Sequence, residues 1–424
     1  MSYALYAAAT VFLLTYVLIS VRRIGRISIE MPAVALLGAA LMVGLGVVTP
    51  AQALESINLN VIVLLLGMML MVAGLEVCGF FDYVSVRAAA RARSGGHFLA
   101  ILMIATAVLS ALVLNDTVVL LMTPIVIRSC RNLGLKPVPF LVGEALAANV
   151  GSVATEVGNP QNAYIAISSN IPFPTYSAYM VPITALCMAL AIPLTWLAFR
   201  RDLNKPIVRQ ESQPLIRPPM IQKIGLIFVL LVLSWAVLSF LLTSSQWLPL
   251  IAFVGGAVVL FFLPFFAKAT YEGLTRRVDW SILLSFIGLF IVLKGVEVSG
   301  LLNVIVDGFK GATGGGGGIW GLSGLTALLS NLMSNVPAVL LLAPTVLTTF
   351  PPGQHTVAWL TLAASSTLAG NATILGAAAN VIVVQSASSH GVQIRMRDFV
   401  KAGLLVTAAT LVAATAVLWL VSLL

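Results

Sequence analysis

The stretch SALVLNDTVVLLMTP, from Ser110 to Pro124, recurs as SNLMSNVPAVLLLAP, from Ser330 to Pro344. Each copy is apolar at both ends and polar at its centre, where the letters NDT (115–117) and SNV (334–336) stand. Polar residues at the centre of an apolar stretch interrupt a helix that would otherwise cross a membrane. Each stretch is also short for two complete spans. The pattern therefore predicts two re-entrant hairpins, at 97–127 and 319–349.

The composition around these stretches is that of a membrane protein. Of the 424 residues, 60% are hydrophobic and 9% are charged, whereas about 25% of the residues of a soluble protein are charged. So few polar side chains cannot coat a soluble surface, and the predicted solvent is lipid. The net charge of +9 is spread in short clusters between apolar runs, which favours membrane-proximal loops over nucleic-acid binding.

Ten other apolar stretches are long enough to cross a bilayer as helices. They lie at 3–20, 31–48, 59–80, 138–168, 177–199, 223–242, 249–266, 280–301, 356–389 and 400–423. The sequence therefore predicts an all-α polytopic membrane protein with ten spans and two hairpins.

The basic residues favour this topology. Six clusters lie near 22–26, 87–93, 128–136, 200–223, 268–277 and 395–401. If both hairpins leave the membrane on the side they entered, all six clusters share one face, which the positive-inside rule makes cytoplasmic. Only Lys310 then lies opposite. We expect a multi-pass protein of the plasma (inner) membrane with both termini outside, which means periplasmic in a bacterium.

Two more pairs of segments make the chain an internal repeat. GLEVCGFFD (74–82) recurs as GVEVSGLLN (295–303), and ATEVGNPQN (154–162) recurs as ATILGAAAN (372–380). The predicted units are a first repeat at 1–205, a cytoplasmic linker at 206–222 and a second repeat at 223–424. Each repeat has five spans, an odd number, so the second inserts upside down. Inverted repeats typically hold a substrate site near the membrane midplane, although a duplicated scaffold without transport is an alternative.

The polar segments carry the candidate site. Gly, Pro and Asn should also break the spans 138–168 and 356–389, exposing carbonyl oxygens that suit Na⁺, while the hairpin turns leave helix N-termini that suit an anion. Helix-to-helix hydrogen bonding is the plainer role for such residues. The predicted substrate- or ion-binding residues are Asn115, Asp116, Thr117, Thr155, Glu156, Gly158, Asn159, Asn162, Ser334, Asn335, Asn371, Thr373, Gly376 and Asn380. Any Na⁺ is expected near Asn115, Asn162, Asn335 and Asn380.

Ionisable residues inside spans are functional candidates. Asp116, Glu144 and Glu156 all lie in the first repeat, and two of their counterparts are the apolar Val336 and Ile374. This asymmetry predicts proton or cation binding in the first repeat.

Other polar features have simpler interpretations. Lys294 is expected to pair with Glu297 one turn away, and Glu76 and Glu297 to act as caps or interface residues. The run 314–318 is interpreted as a flexible glycine linker. The cysteines, Cys78, Cys130 and Cys187, lack metal-ligand spacing and are expected to be buried thiols. We expect no metal site, no cofactor beyond a coupling H⁺ or Na⁺, and no enzyme activity, because no nucleophile–base pair lies at membrane depth.

At these residues the sequence resembles the ion transporter superfamily, most of all its arsenical-pump permease and sodium–proton antiporter branch, and more distantly the divalent anion/sodium symporters. NDTVVLLMTPIVI (115–127), GNPQN (158–162) and GNATILGAAAN (370–380) carry the resemblance. It implies a scaffold domain, a mobile transport domain, elevator-type movement and often a homodimer. We call the polar centres of the two predicted hairpins, 115–117 and 334–336, the first and second tips. Asn115 and Thr117 of the first tip and Ser334 and Asn335 of the second match the Ser-Asn-Thr signature of the anion symporters, whereas Asp116 and Val336 depart from it.

The sequence therefore favours a secondary active transporter of a small anion or oxyanion, with a metalloid such as arsenite included, coupled to H⁺ or Na⁺. The departures at Asp116 and Val336 speak against a dicarboxylate between the tips. The alternative is a Na⁺/H⁺ antiporter that transports no anion, in which Asp116 or Glu156 carries the ion. A third hypothesis is an arsenite-efflux permease that works with a soluble ATPase partner. The predicted basic cytoplasmic face is compatible with such a partner. The other expected partners are the lipid bilayer and the small anion, with no nucleic acid.

Overall fold

The computed structural model describes residues 3–21, 23–24, 27–28, 30–204, 207, 247–267, 270–313 and 318–423. The predicted span 223–242, the predicted linker apart from residue 207, and residues 314–317 of the glycine run lie outside these ranges. So do the following basic residues of the six clusters: Arg22, Arg26, Lys205, Arg209, Arg217, Lys223 and Lys268.

Helices make up nearly all of the described structure. A single antiparallel pair of two-residue strands, β1 (Arg23–Ile24) and β2 (Ile27–Ser28), follows the first helix. The helices of the first half are α1 (Tyr3–Val21), α2 (Met31–Gly44), α3 (Pro50–Ser56), α4 (Leu59–Val77), α5 (Phe80–Arg91), α6 (Gly95–Leu112), α7 (Asn115–Asn132), α8 (Val138–Ser152), α9 (Pro160–Ser169) and α10 (Phe173–Leu203).

The described helices of the second half follow a similar order. They are α11 (Leu248–Ala267), α12 (Tyr271–Thr275), α13 (Trp280–Val298), α14 (Leu301–Thr313), α15 (Gly318–Met333), α16 (Asn335–Thr349), α17 (His355–Ala369), α18 (Ala378–Ser389) and α19 (Met396–Val421). Within the described ranges, seven helices are long and apolar enough to cross a membrane, namely α1, α4, α6, α10, α11, α13 and α19. The prediction of an all-α polytopic membrane protein is confirmed at this level.

Several predicted spans have different boundaries in the structure. The span predicted at 31–48 ends at Gly44, and α3 begins after it behind a capping box at Thr49. The spans predicted to end at 80 and 301 end at Val77 and Val298. In each case a glycine with positive φ, Gly79 (72°) or Gly300 (79°), turns the chain into a short helix that the sequence analysis missed.

The first predicted hairpin is longer than expected. Its two helices, α6 and α7, have 18 residues each, and α6 alone is long and apolar enough to cross a membrane. Length therefore does not make this stretch re-entrant, contrary to the argument from the sequence. The two helices do lie side by side, since Thr106 Oγ1 is 3.9 Å from Met122 Sδ.

Buried apolar side chains divide the helices into two groups. The paired-helix group is α1, α2, α4, α11 and α13. The broken-helix group is α6 to α10 together with α15 to α19, most of whose buried apolar residues form the other cluster. The clusters meet at α4, α9 and α16, which contribute residues to both. In the paired-helix group, a Cβ at Gly67 would stand 2.3 Å from the Ala252 backbone, and one at Gly288 would stand 2.4 Å from the Ala35 backbone. These glycines let α4 pack closely on α11 and α13 on α2.

Contacts bring four of the basic clusters together at one end of the molecule. Lys136 Nζ is 3.1 Å from Asp202 Oδ1 at the end of α10, and Lys401 Nζ lies 5.5 Å from the centre of the Phe199 ring. The start of α6, just after the 87–93 cluster, packs on the backbone of Leu203. We call this end the basic face.

Candidate functional site

Two helices are broken inside the broken-helix group, where the sequence predicts breaks. In the first half, α8 ends at Ser152 and α9 begins at Pro160, with Asn159 as its N-cap. In the second half, α17 ends at Ala369, two 3-10 turns follow at Gly370–Ala372 and Ile374–Gly376, and α18 begins at Ala378.

An asparagine closes each break in the same way. Asn162 Nδ2 donates to the carbonyl oxygens of Ser152 and Thr155, both at 3.1 Å. Asn380 Nδ2 donates to the carbonyls that stand at the same two positions relative to it, at 2.7 and 2.9 Å. These bonds satisfy carbonyl groups that the unwound backbone leaves without helical partners. The side-chain nitrogens of Asn162 and Asn380 are therefore both engaged by backbone carbonyl oxygens.

Asn149, which the sequence analysis missed, joins the two halves. Its Nδ2 donates to Asn371 Oδ1 and Asn380 Oδ1 in the opposite break, both at 2.9 Å. Its Oδ1 accepts from Asn115 Nδ2 at the first tip, at 3.1 Å. An asparagine fully buried in an apolar helix was the available signal. Because its partners lie in three separate segments, only the tertiary fold reveals its position at the centre of this network.

A second set of bonds runs the other way, from the second half to the break of the first. Thr367 Oγ1 accepts from Asn159 Nδ2 at 3.1 Å and from Gln161 Nε2 at 3.2 Å. Thr367 stands on α17, the helix before the second break, as Asn149 stands on α8 before the first. Each half therefore holds the break of the other.

The first tip, between α6 and α7, and the second tip, between α15 and α16, each form hydrogen bonds with the break of their own half. The backbone N–H of Asn115 donates to the Gly158 carbonyl at 2.9 Å. In the amide orientation that satisfies both of its polar atoms, Asn335 donates to the Gly376 carbonyl at 3.0 Å and accepts from Gln161 Nε2 at 3.2 Å. Ser334 beside it has a φ of 76°, a conformation rare outside glycine.

Both tips open into one cavity of about 170 Å³. The first residues of α9 and α18 line it, so two helix N-termini meet there. Its other walls come from the starts of α2 and α13. The polar side chains that line it belong to Glu30, Asn115, Asp116, Gln161, Asp279, Ser281, Ser285, Ser334 and Asn335. Three of these are acidic, and among the described residues that line the cavity none is basic.

Four of the fourteen predicted residues line the cavity: Asn115, Asp116, Ser334 and Asn335. The other ten do not, and most of them hold the breaks behind it. The Thr155 hydroxyl donates to the carbonyl of Ala111, and Asn371 Nδ2 donates to the carbonyl of Leu146. Thr117 lies at the first tip, in the first turn of α7, but does not line the cavity.

Asp116 has a specific role at the first tip. The residue is 8% exposed, and its carboxyl group faces the backbone N–H of Ala379. Ala379 lies in the first turn of α18, whose own N-cap, Ala377, supplies no side-chain bond. Asp116 therefore places a carboxyl group at the N-terminus of a helix from the opposite half. Val336, its counterpart at the second tip, lines the same cavity without a charge.

The other two predicted ionisable residues lie away from the cavity. Glu156 is fully buried, and neither carboxyl oxygen has a hydrogen-bond partner among the described residues. Glu144 Oε1 accepts from Thr123 Oγ1 at 3.1 Å, and its second oxygen has no partner in the same ranges. A buried carboxylate without a partner is costly, so both groups are suited to holding a proton.

The sequence analysis did not predict two acidic residues of the cavity, because they stand at helix starts far from the repeated motifs. Asp279 caps α13, accepting from the backbone N–H of Ser281 at 3.0 Å. Glu30 precedes α2 and makes no capping bond.

The predicted ion pair of Lys294 with Glu297 is present at 3.0 Å. Glu76 pairs with Arg277 at 2.9 Å, as expected of an interface residue.

Comparisons with known proteins relate the whole chain to transporters. The family model described as citrate transporter, CitMHS, matches residues 16–369. An uncharacterized transporter of Mycobacterium tuberculosis is 32% identical over 97% of this chain and 98% of that protein. The silicon efflux transporter of rice, Oryza sativa, is 28% identical over 83% of this chain and 84% of its own. The crystal structure of the YdaH transporter of Alcanivorax borkumensis aligns with a TM-score of 0.62 at 16% identity, over 99% of this chain and 98% of that one. At that identity the likeness concerns the fold alone.

Proposed function

Because this chain belongs to the citrate transporter family CitMHS, we propose that it is a secondary active transporter of a small oxyanion or metalloid hydroxide, coupled to H⁺ or Na⁺. The family and the relatives named above are transporters, so the chain is a multi-pass membrane transporter and not an enzyme. The solute and the coupling ion are the proposed part.

The observation that carries the proposal is the cavity between the two tips. Amides, hydroxyls and two helix N-termini line it, and these groups bind oxygen-rich solutes. Its three acidic residues repel an anion inside a weakly screened interior. The solute is therefore best accommodated in an uncharged, hydroxyl-rich form, such as a silicon or arsenic hydroxide, or as an anion accompanied by a cation. Citrate, for which the family is named, would need such a cation.

The coupling ion is proposed to act at Asp116. Its carboxyl group faces the backbone N–H of Ala379 at the start of α18. Protonation removes the charge that this helix end attracts, and so frees the donor for an oxygen of the solute. Glu156 is a second candidate for a proton. Of the four asparagines proposed near Na⁺, Asn162 keeps a buried side-chain oxygen without a partner among the described residues, whereas Asn380 Oδ1 accepts from Asn149.

The inverted repeat, the re-entrant hairpins and elevator-type movement remain proposals. The matched bonds of Asn162 and Asn380 support the repeat. The division into a paired-helix group and a broken-helix group supports a scaffold and a mobile domain. The cavity lies against the starts of α2 and α13. In the chain these starts follow β1, β2 and the basic residues Arg276 and Arg277, so we propose that the cavity opens toward the cytoplasm. The termini outside a plasma membrane, the homodimer and a soluble ATPase partner are likewise proposals.

The proposal is tested in proteoliposomes with an imposed pH or Na⁺ gradient and a panel of silicic acid, arsenite, phosphate and citrate with and without Mg²⁺. We expect the gradient to drive uptake of silicic acid or arsenite, and we expect Asp116→Asn to abolish that uptake. Glu297→Gln, which changes a partly exposed carboxylate away from the cavity, is the control. No movement of any solute under either gradient would overturn the proposal.

The second candidate is a Na⁺/H⁺ antiporter. The acidic lining of the cavity favours it, because three carboxyl groups can bind a cation without any solute. In the same vesicles, an antiporter would exchange Na⁺ for H⁺ with no solute present. Exchange that is lost in Asp116→Asn, together with no solute movement, would establish this function instead.

A further inference from the structure

A second pocket, of about 410 Å³, lies on the basic face, away from the cavity between the tips. The end of α10 and the start of α19 form it. The side chains that line it include Leu197, Phe199, Arg200, Arg201, Asp202 and Lys401. The transport proposal uses none of them.

The pocket has an excess of positive charge. Asp202, its acidic residue, is paired with Lys136 at 3.1 Å. Arg200 and Arg201 are exposed, and within the described part of the chain neither has a carboxylate partner. Lys401 contacts an aromatic ring, that of Phe199, at 5.5 Å, which leaves its ammonium group available to an anion.

The same pocket borders an apolar surface. On α10, Trp196 and Leu197 are 39% and 50% exposed, and on α19, Leu404 is 53% exposed one turn beyond Lys401. Both helices are long and apolar enough to cross a membrane. Exposed apolar residues on such helices face lipid, and tryptophan marks the level of the headgroups. The basic side chains therefore stand where a phospholipid carries its phosphate.

We infer that this pocket binds the phosphate group of an anionic phospholipid, whose acyl chains lie along Leu197 and Leu404. Arginine is suited to this role because its planar guanidinium binds two phosphate oxygens at once. A soluble phosphate would satisfy the charge but would leave the apolar border unused. The lipid would hold the end of α10 against the start of α19.

The test uses the full-length protein, purified in mild detergent and titrated with phosphatidylglycerol or phosphatidylcholine. Bound lipid is counted by native mass spectrometry. The pocket variant is Arg200→Gln with Arg201→Gln. The control is Arg91→Gln with Arg93→Gln, which removes the same charge from two exposed residues of the basic face outside the pocket.

Each basic residue near a membrane surface contributes about fivefold to the attraction of an anionic lipid. We expect phosphatidylglycerol to bind the wild type and the control alike, and the pocket variant roughly 25-fold more weakly. Lys401→Gln, expected to weaken binding about fivefold, gives an independent reading if the double variant fails to fold.

Three results would overturn the inference. Two are equal binding of both lipids and equal loss of binding in the pocket variant and the control. The other is displacement of phosphatidylglycerol by inorganic phosphate or glycerol phosphate at matched concentration, which would identify a site for a soluble anion rather than for a lipid.

Discussion

The two tips and their breaks share a framework but differ in chemistry. In both halves an asparagine bonds the same pair of carbonyls across the break, and in both the tip binds the glycine of the break. Only the first half has carboxyl groups, at Asp116 and Glu156, where the second has Val336 and Ile374. The symmetric part is what unwound backbone requires in a membrane. The asymmetric part is where the proposed ion coupling would act.

The largest expected effect comes from filling the space at the two break glycines. A Cβ at Gly158 would stand 2.3 Å from the carbonyl oxygen of Ser152, and one at Gly376 would stand 2.6 Å from that of Gly370. Since backbone cannot move aside cheaply, Gly158→Ala and Gly376→Ala should both lose transport and destabilise the fold by about 3 kcal/mol or more.

Thermal unfolding and vesicle transport check this prediction, with Gly324→Ala as the control because a Cβ there meets nothing within 4 Å. Gly158→Ala should be the more damaging variant, since its second neighbour is the backbone of Ser110 whereas that of Gly376 is the side chain of Asn331. Wild-type stability in either variant would contradict the close approach.

The second largest effect is expected from the charge difference between the two tips, which have Asp116 and Val336 at matched positions. Asp116→Asn keeps the shape of the side chain but removes its ionisable group, so transport should no longer respond to a pH gradient. Val336→Thr, a change of similar volume at the matched position, should leave that response intact. Transport driven by an imposed pH gradient measures both. An unchanged response in Asp116→Asn would place the proton elsewhere, with Glu156→Gln as the next variant to measure.

A smaller and nearly equal effect is expected at the two bridging asparagines. Asn162→Ala and Asn380→Ala each remove the side-chain donor of two buried carbonyls. Because the carbonyls of Thr155 and Thr373 keep a backbone donor at 3.4 and 3.2 Å, one carbonyl is left unsatisfied in each variant, which costs about 1–3 kcal/mol. Asn380→Ala should be the more costly of the two, because it also removes the acceptor of Asn149. Denaturant or thermal unfolding in detergent gives the comparison. A large cost in one and none in the other would mean that the breaks are not built alike.

The smallest effect is expected at the matched glutamates of α4 and α13. Glu297→Gln breaks a pair with Lys294 in which the glutamate side chain is 58% exposed, and Glu76→Gln breaks a pair with Arg277 in which it is 27% exposed. Exposed pairs contribute about 0–1 kcal/mol. Both variants should transport normally, with a slightly lower unfolding temperature for Glu76→Gln. A loss of transport in either would assign these residues to the mechanism.

The sequence predicted most of the helices and both breaks, because apolar runs and the Gly, Pro and Asn within them are local signals. It missed α5 and α14, which are too short to be told from the spans before them. It also missed Glu30 and Asp279, whose approach to Asp116 depends on how α2 and α13 pack. Asn149 was passed over for the same reason, since its partners are Asn115, Asn371 and Asn380.

The reciprocal bonds of Asn149 and Thr367 have a mechanical consequence. Separating the two breaks would rupture four buried hydrogen bonds at once, with no water at that depth to replace them. The proposed elevator-type movement would therefore have to carry both breaks together, as one rigid unit. In such a movement a bound solute would keep its ligands, and the sliding surface would lie between this unit and the paired-helix group that packs closely at Gly67 and Gly288.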